Sequence, residues 1–237
     1  MQTSRLVSES MNLMNKILLS IFLLFASGRS AETYSYKVKY GPVHAGGATL
    51  IHTVEDNVLK SIFIIESSPW LSTLWTLADT VITEYMIDVG RLITHHRAIH
   101  EGSYHRNYEV SFSDSNLATV NGKDKKVDTQ GLRDIPSLLY SLSLTKFQHG
   151  DTLQYHMWDG RGSGVLKLLV EKVGKPSLFK PFEKPGWRLT PLNSTRKSRA
   201  NQIQLSMLYS KSYPHTPLEI EINTKYGNIQ IDRKSVV

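Results

Sequence analysis

Residues 33–40 alternate without a break. Tyr34, Tyr36, Val38 and Tyr40 fall on one side of an extended chain, and Ser35, Lys37 and Lys39 on the other. A period of two with aromatic residues on one face specifies a half-buried β-strand. Gly41-Pro42 ends this run and Gly46-Gly47 opens a second over residues 48–54. Glu55-Asp56-Asn57 then turns the chain into a third strand over residues 58–66, an antiparallel opening. Similar runs cover residues 81–89, 92–100, 104–112, 117–120, 125–129, 153–158, 165–173, 202–209, 218–224 and 228–232. Gly102-Ser103 and Asn121-Gly122 suit tight hairpin turns.

Two stretches break the alternation. In residues 69–77, Trp70, Leu71, Leu74, Trp75 and Leu77 fit a short amphipathic helix opened by Pro69. Residues 134–145 read as a second helix. Asp134 caps it, Pro136 fits its first turn, and Ile135, Leu138, Leu139 and Leu142 recur at helical spacing. Residues 174–200, rich in Pro, Lys and Ser, read as a long connection with little regular structure except over residues 187–189. The sum is mainly β, roughly ten to thirteen strands. It predicts a curled antiparallel sheet or open β-barrel with two short helices, and a two-sheet β-sandwich as the alternative. The strand–helix alternation of a parallel sheet is missing.

Lys16 precedes the apolar run 17–26, which is followed by Ala26-Ser27-Gly28 and Ser30-Ala31. That is the build of a cleavable signal peptide, and it is too short to span a membrane. Residues 1–31 are therefore expected to be a leader, with cleavage after Gly28 or Ala31 and a start at Met1, Met11 or Met14. Residues 32–237 would form a single exported, barrel-like domain in the periplasm, with no further membrane-spanning segment. Removing the leader takes Arg5, Lys16, Arg29 and Glu9, so the remainder of a chain of net charge +7 stays basic. The basic residues are dispersed, and the clusters at 123–126 and 196–199 read as solvated loops, so nucleic acid is not an expected partner.

The chain has no cysteine. This excludes disulfides, Cys-ligated zinc, iron–sulfur clusters, a thiol nucleophile and a lipidated cysteine anchor, and leaves stability to core packing. There is no Gly-x-Ser-x-Gly elbow and no His-Glu-x-x-His. The Gly160-Arg161-Gly162-Ser163-Gly164 run is followed by strand rather than helix and reads as a hairpin loop. Asn193-Ser194-Thr195 matches a glycosylation acceptor. No cofactor is implied. The histidines are more suggestive. A turn at Gly102-Ser103 sets His100 opposite His105 and His96 opposite Glu109, all on one face. His96 then lies about 13 Å from His100, too far for one metal ion. His100, His105 and Glu109 are the candidate metal ligands.

The order of features resembles the DUF3108 family, exported Gram-negative proteins of unknown function. The likeness runs through Tyr36-Lys37-Val38-Lys39-Tyr40-Gly41 and Gly46-Gly47, and then Asp134, Ser137 and Tyr140 in the helix. It continues in Gly150-Asp151, Pro217 to Ile220 and Tyr226 to Ile229. Ser143 stands where relatives usually carry Arg. The resemblance implies an antiparallel, barrel-like periplasmic protein with no assigned activity. The functional expectation is a non-enzymatic envelope protein binding a lipid, another apolar or amphipathic ligand, or an envelope protein. Tyr34, Tyr36, Trp70, Trp75 and Trp158 are its candidate contacts. A metal-dependent or cell-wall and carbohydrate hydrolase using the histidine hairpin is one rival. An envelope scaffold with an exposed apolar patch is another.

Overall fold

Alternation fixes which face each strand buries, and tight turns fix which strands pair. The computed structural model describes residues 31–74, 76–160, 162–174, 184–192, 204–224 and 227–234. Its first eight strands form an antiparallel meander. They are β1 (Glu32–Tyr40), β2 (Val43–Glu55), β3 (Val58–Ser67), β4 (Ala78–Met86), β5 (Arg91–Glu101), β6 (Tyr104–Phe112), β7 (Leu117–Val120) and β8 (Lys123–Lys126). On the other side of β1 lies β15 (Gly227–Arg233). Beyond it come β14 (Pro217–Thr224), β13 (Gln204–Tyr209), β12 (Gly186–Pro191), β11 (Ser163–Val173), β10 (Thr152–Trp158) and β9 (Leu132–Arg133). All fifteen belong to one sheet, so the sandwich alternative does not hold among the described residues.

The turns explain the meander. Asp56 and Asn57, and likewise Asn121 and Gly122, have positive φ at both positions. That geometry matches the twist of a two-residue hairpin and suits Asn, Asp and Gly. The sheet curls until its ends approach. Phe112 on β6 and Trp158 on β10 are far apart in strand order, yet their rings meet edge to face at 5.3 Å. No ladder joins β8 to β9, so the curl stays open along a seam.

The pair β9–β10 is parallel. A parallel pair needs a crossover, and α2 (Ile135–Ser143) supplies it. The fold therefore contains one β–α–β unit, which alternation alone did not reveal. The crossover sets α2 against the concave face. Leu138, Leu139 and Leu142 are fully buried there with Leu50, Phe63, Leu168, Leu189 and Tyr209. Each such leucine contributes roughly 1.5–3 kcal/mol.

The helices are shorter than expected. α1 (Pro69–Ser72) has four residues rather than the span 69–77, and it buries none of them. The chain must rejoin the sheet at once. The Leu77 carbonyl accepts from Ser67 N at 2.8 Å and the Thr76 carbonyl from Gly102 N at 2.7 Å. The strand expected at 81–89 runs instead over 78–86, because the chain turns at Gly90 with φ of 67°. Residues 1–30, Trp75, much of 174–200 and the Asn193 acceptor lie outside the described residues. No helix of the described residues is long and apolar enough to cross a membrane.

Candidate functional site

Two features stand out on this frame: a buried polar row inside the curl and an apolar end outside it. The row follows from register. His52 on β2 pairs with Ser61 on β3, Ser61 with Thr83 on β4, and Thr83 with His95 on β5. All four side chains point inward and are buried. His52 Nδ1 lies 2.8 Å from Ser61 Oγ. Burial pushes its imidazole down to about 4, so it is neutral near pH 7.

Asp134, at the N-cap of α2, docks onto the far end of this row. Its Oδ1 accepts from Ser137 N at 3.1 Å and Ser137 Oγ at 2.7 Å. Its Oδ2 accepts from the Thr83 hydroxyl and from His95 Nδ1, the latter at 2.8 Å. Burial alone would raise this carboxyl. The hydrogen bonds and charge of His95, with Thr83 and Ser137, outweigh it and hold the group below its usual value. The reciprocal bond from Asp134 N to Ser137 Oγ, 3.0 Å, completes a capping box. One carboxylate thus starts the helix and pins it to β4 and β5.

The apolar end follows from topology. The C-termini of β1, β3 and β5 and the N-termini of β2, β4 and β6 share one end of the sheet. Tyr40, Val43, Trp70, Leu74 and Tyr104 are all exposed there, Trp70 by 52% and Leu74 by 80%. Other exposed apolar side chains, such as Val54, Val89 and Tyr213, lie at other turns.

The residues singled out from sequence separate into different surroundings. Tyr36 is fully buried and its hydroxyl donates to the Pro217 carbonyl at 3.3 Å. Trp158 is core, packed on Phe112. Tyr34 is half-buried, with its hydroxyl on Glu32 at 2.7 Å and the Arg233 guanidinium 5.1 Å over its ring. Trp70 projects from the apolar end, and Trp75 lies outside the described residues. The structure does not gather Tyr34, Tyr36, Trp70 and Trp158 into one lining.

The histidine hairpin has the anticipated register, with His100 opposite His105 and His96 opposite Glu109. The rings of His100 and His105 stand 3.9 Å apart, while Glu109 is exposed and four positions further along β6 than His105. Among the described residues no group of three or more His, Asp or Glu side chains gathers as a metal site. Sequence reasoning did not single out His52, Ser61 or Thr83, because they become neighbours only once three strand pairings are set.

A curled antiparallel sheet, open along one seam and filled by a crossover helix, defines a barrel-like β protein. The crystal structure of a beta-barrel-like protein of domain of unknown function DUF1849 from Brucella abortus shares this fold. The TM-score is 0.54 at 7% identity, over 86% of this chain and 95% of that one. The chain belongs to the DUF3108 family, described as a protein of unknown function, which matches residues 35–234. No functionally curated protein matches it.

The family pattern has physical reasons here. A Cβ on Gly46 would lie 1.9 Å from the Glu66 carbonyl oxygen, so β2 and β3 approach only at glycine. Asp134 and Ser137 form the capping box. Tyr140 meets His52 edge to face at 5.5 Å. Ser143 Oγ donates to the Tyr140 carbonyl at 2.7 Å and keeps to its own helix.

Proposed function

We propose that this is an exported, non-enzymatic protein of the bacterial envelope that binds an amphipathic lipid surface through the Tyr40–Val43, Trp70–Leu74 and Tyr104 end. The observation that carries the reading is the concentration of exposed apolar and aromatic side chains on six neighbouring strand ends. Trp and Tyr suit a membrane–water boundary because each joins an apolar body to a polar tip. Net charge supplies complementarity. Without Arg5, Lys16, Arg29 and Glu9 of the leader, the balance of 28 Lys+Arg against 21 Asp+Glu becomes 25 − 20 = +5, and basic proteins are drawn to anionic leaflets. The leader-like segment at residues 17–26 supports export, since such a segment directs secretion.

The test is co-sedimentation with vesicles of phosphatidylethanolamine and phosphatidylglycerol. The native protein should pellet with them, more weakly as the anionic lipid is withdrawn. Trp70→Ser with Leu74→Ser should weaken partitioning by roughly tenfold or more, with unchanged circular dichroism because neither side chain is core. Failure to pellet, or undiminished pelleting of the double variant, contradicts the reading. In that case an envelope protein partner becomes the occupant to seek.

A further inference from the structure

The apolar end has a charged inner rim. On β4 and β5, Thr83 and His95 point into the curl, and alternation puts Asp79, Arg97, Ile99 and Glu101 on the same face. On β6, Tyr108 pairs with Arg97, Arg106 with Ile99 and Tyr104 with Glu101, so these three share it too. Asp79 is second in β4, Glu101 last in β5 and Tyr104 first in β6. The group therefore reaches the sheet end that exposes Trp70 and Leu74.

The charges of this rim are incompletely matched. Arg97 Nη2 donates to Asp79 Oδ2 at 2.9 Å. The other side of each group is idle: Asp79 Oδ1 and Arg97 Nε are buried with no hydrogen-bond partner among the described residues. A buried acceptor and a buried donor left unmade in one ion pair are costly and call for an explanation. Glu101 is short of positive charge. Burial first, and the like charge of Asp79 second, hold its carboxyl above its ordinary value, and Arg97 offsets them only in part. Arg106 supplies a reachable cation on the next strand. It is exposed, its guanidinium lies 4.7 Å over the Tyr108 ring, and its Nη1 donates to the Tyr104 hydroxyl at 3.5 Å.

Both signs thus wait on one face. The carboxylates of Asp79 and Glu101 suit an ammonium, which offers three N–H donors. The guanidiniums suit a phosphate. We infer that Asp79, Arg97, Glu101 and Arg106 form a subsite for the phosphoethanolamine headgroup of a lipid, with its ammonium on the carboxylates and its phosphate on the guanidiniums. The inference rests on the docking of the apolar end to lipid and adds the headgroup which that end selects.

The test is a titration of the full chain with glycerophosphoethanolamine, followed by the side-chain Nε–H resonances of Arg97 and Arg106. Both should shift saturably at millimolar ligand or below. Glycerophosphocholine keeps the phosphate but has no N–H on its cation, and should bind about tenfold more weakly or worse. Glu101→Gln and Arg106→Gln should each weaken glycerophosphoethanolamine by about tenfold or more, with unchanged circular dichroism because neither side chain is core. On vesicles of fixed phosphatidylglycerol content, more protein should pellet with phosphatidylethanolamine than with phosphatidylcholine as the second lipid. Shifts that do not saturate, equal affinity for the two headgroups, equal pelleting on the two mixtures, or binding that survives both substitutions overturns the inference. The titration contains no bilayer, so its failure is distinct from a failure to pellet with either mixture, which contradicts the docking of the apolar end itself.

Discussion

At the scale of single residues, Asp134 carries more of the structure than any other polar side chain described. It caps α2 and accepts from Thr83 and His95 at once. Asp134→Ala should cost about 3 kcal/mol in urea denaturation, since it removes a cap and strands two buried donors. His52 gives a pH signature. Its folded value of about 4 lies below its ordinary 6.5. The unfolded chain therefore takes up a proton in that window while the folded one does not, and stability falls as pH drops from about 6.5 toward 4. The loss is roughly 2–3 kcal/mol. Asp134 acts lower down. Its depressed carboxyl stabilises the fold above 3.8 and loses that contribution as pH falls through its folded value. His52→Gln keeps a partner for Ser61 and removes the titration. Unfolding free energies measured between about pH 7 and pH 4.5 should flatten in this variant.

Elements show how far a sequence can be read. Most strands were legible because period-two alternation reports on local geometry, and Asn121-Gly122 and Gly102-Ser103 named their own turns. β9 was not legible. It is two residues long and exists through its parallel partner β10. α1 was overestimated, because the Leu77 carbonyl is claimed by Ser67 N at the end of β3 and the Thr76 carbonyl by Gly102 N in the turn after β5. The polar row was hidden for another reason: each of its members looks ordinary in its own strand. The glycine pair on β2 offers a sharp comparison. Gly46→Ala should destabilise by about 2 kcal/mol or more, since its methyl meets the backbone of β3. Gly47→Ala meets Tyr36 O at 3.7 Å, an ordinary contact, and should be tolerated. Thermal unfolding of the two variants separates them. On α2, Leu139→Ala should cost about 2–5 kcal/mol, against a few tenths for the exposed Leu144→Ala.

For the whole molecule, the concave face is occupied. α2 fills the side of the sheet that the aromatic strands turn inward, so Tyr36 and Trp158 work as packing and the exposed apolar surface lies at one end. That division between a closed interior and an apolar end is what motivates lipid docking. A chain without cysteine allows it to be tested cleanly, since one introduced thiol is the sole labelling site. Leu74→Cys places a nitroxide at the apolar end and Val54→Cys places one at the opposite end of β2, both on exposed side chains. Oxygen and nickel-chelate accessibilities from electron paramagnetic resonance report how deep each label sits in vesicles containing phosphatidylglycerol. The account predicts that the label at position 74 enters the bilayer while the label at 54 stays in water. Equal accessibilities for the two labels, or a water-like signal at 74 in the presence of vesicles, would contradict it.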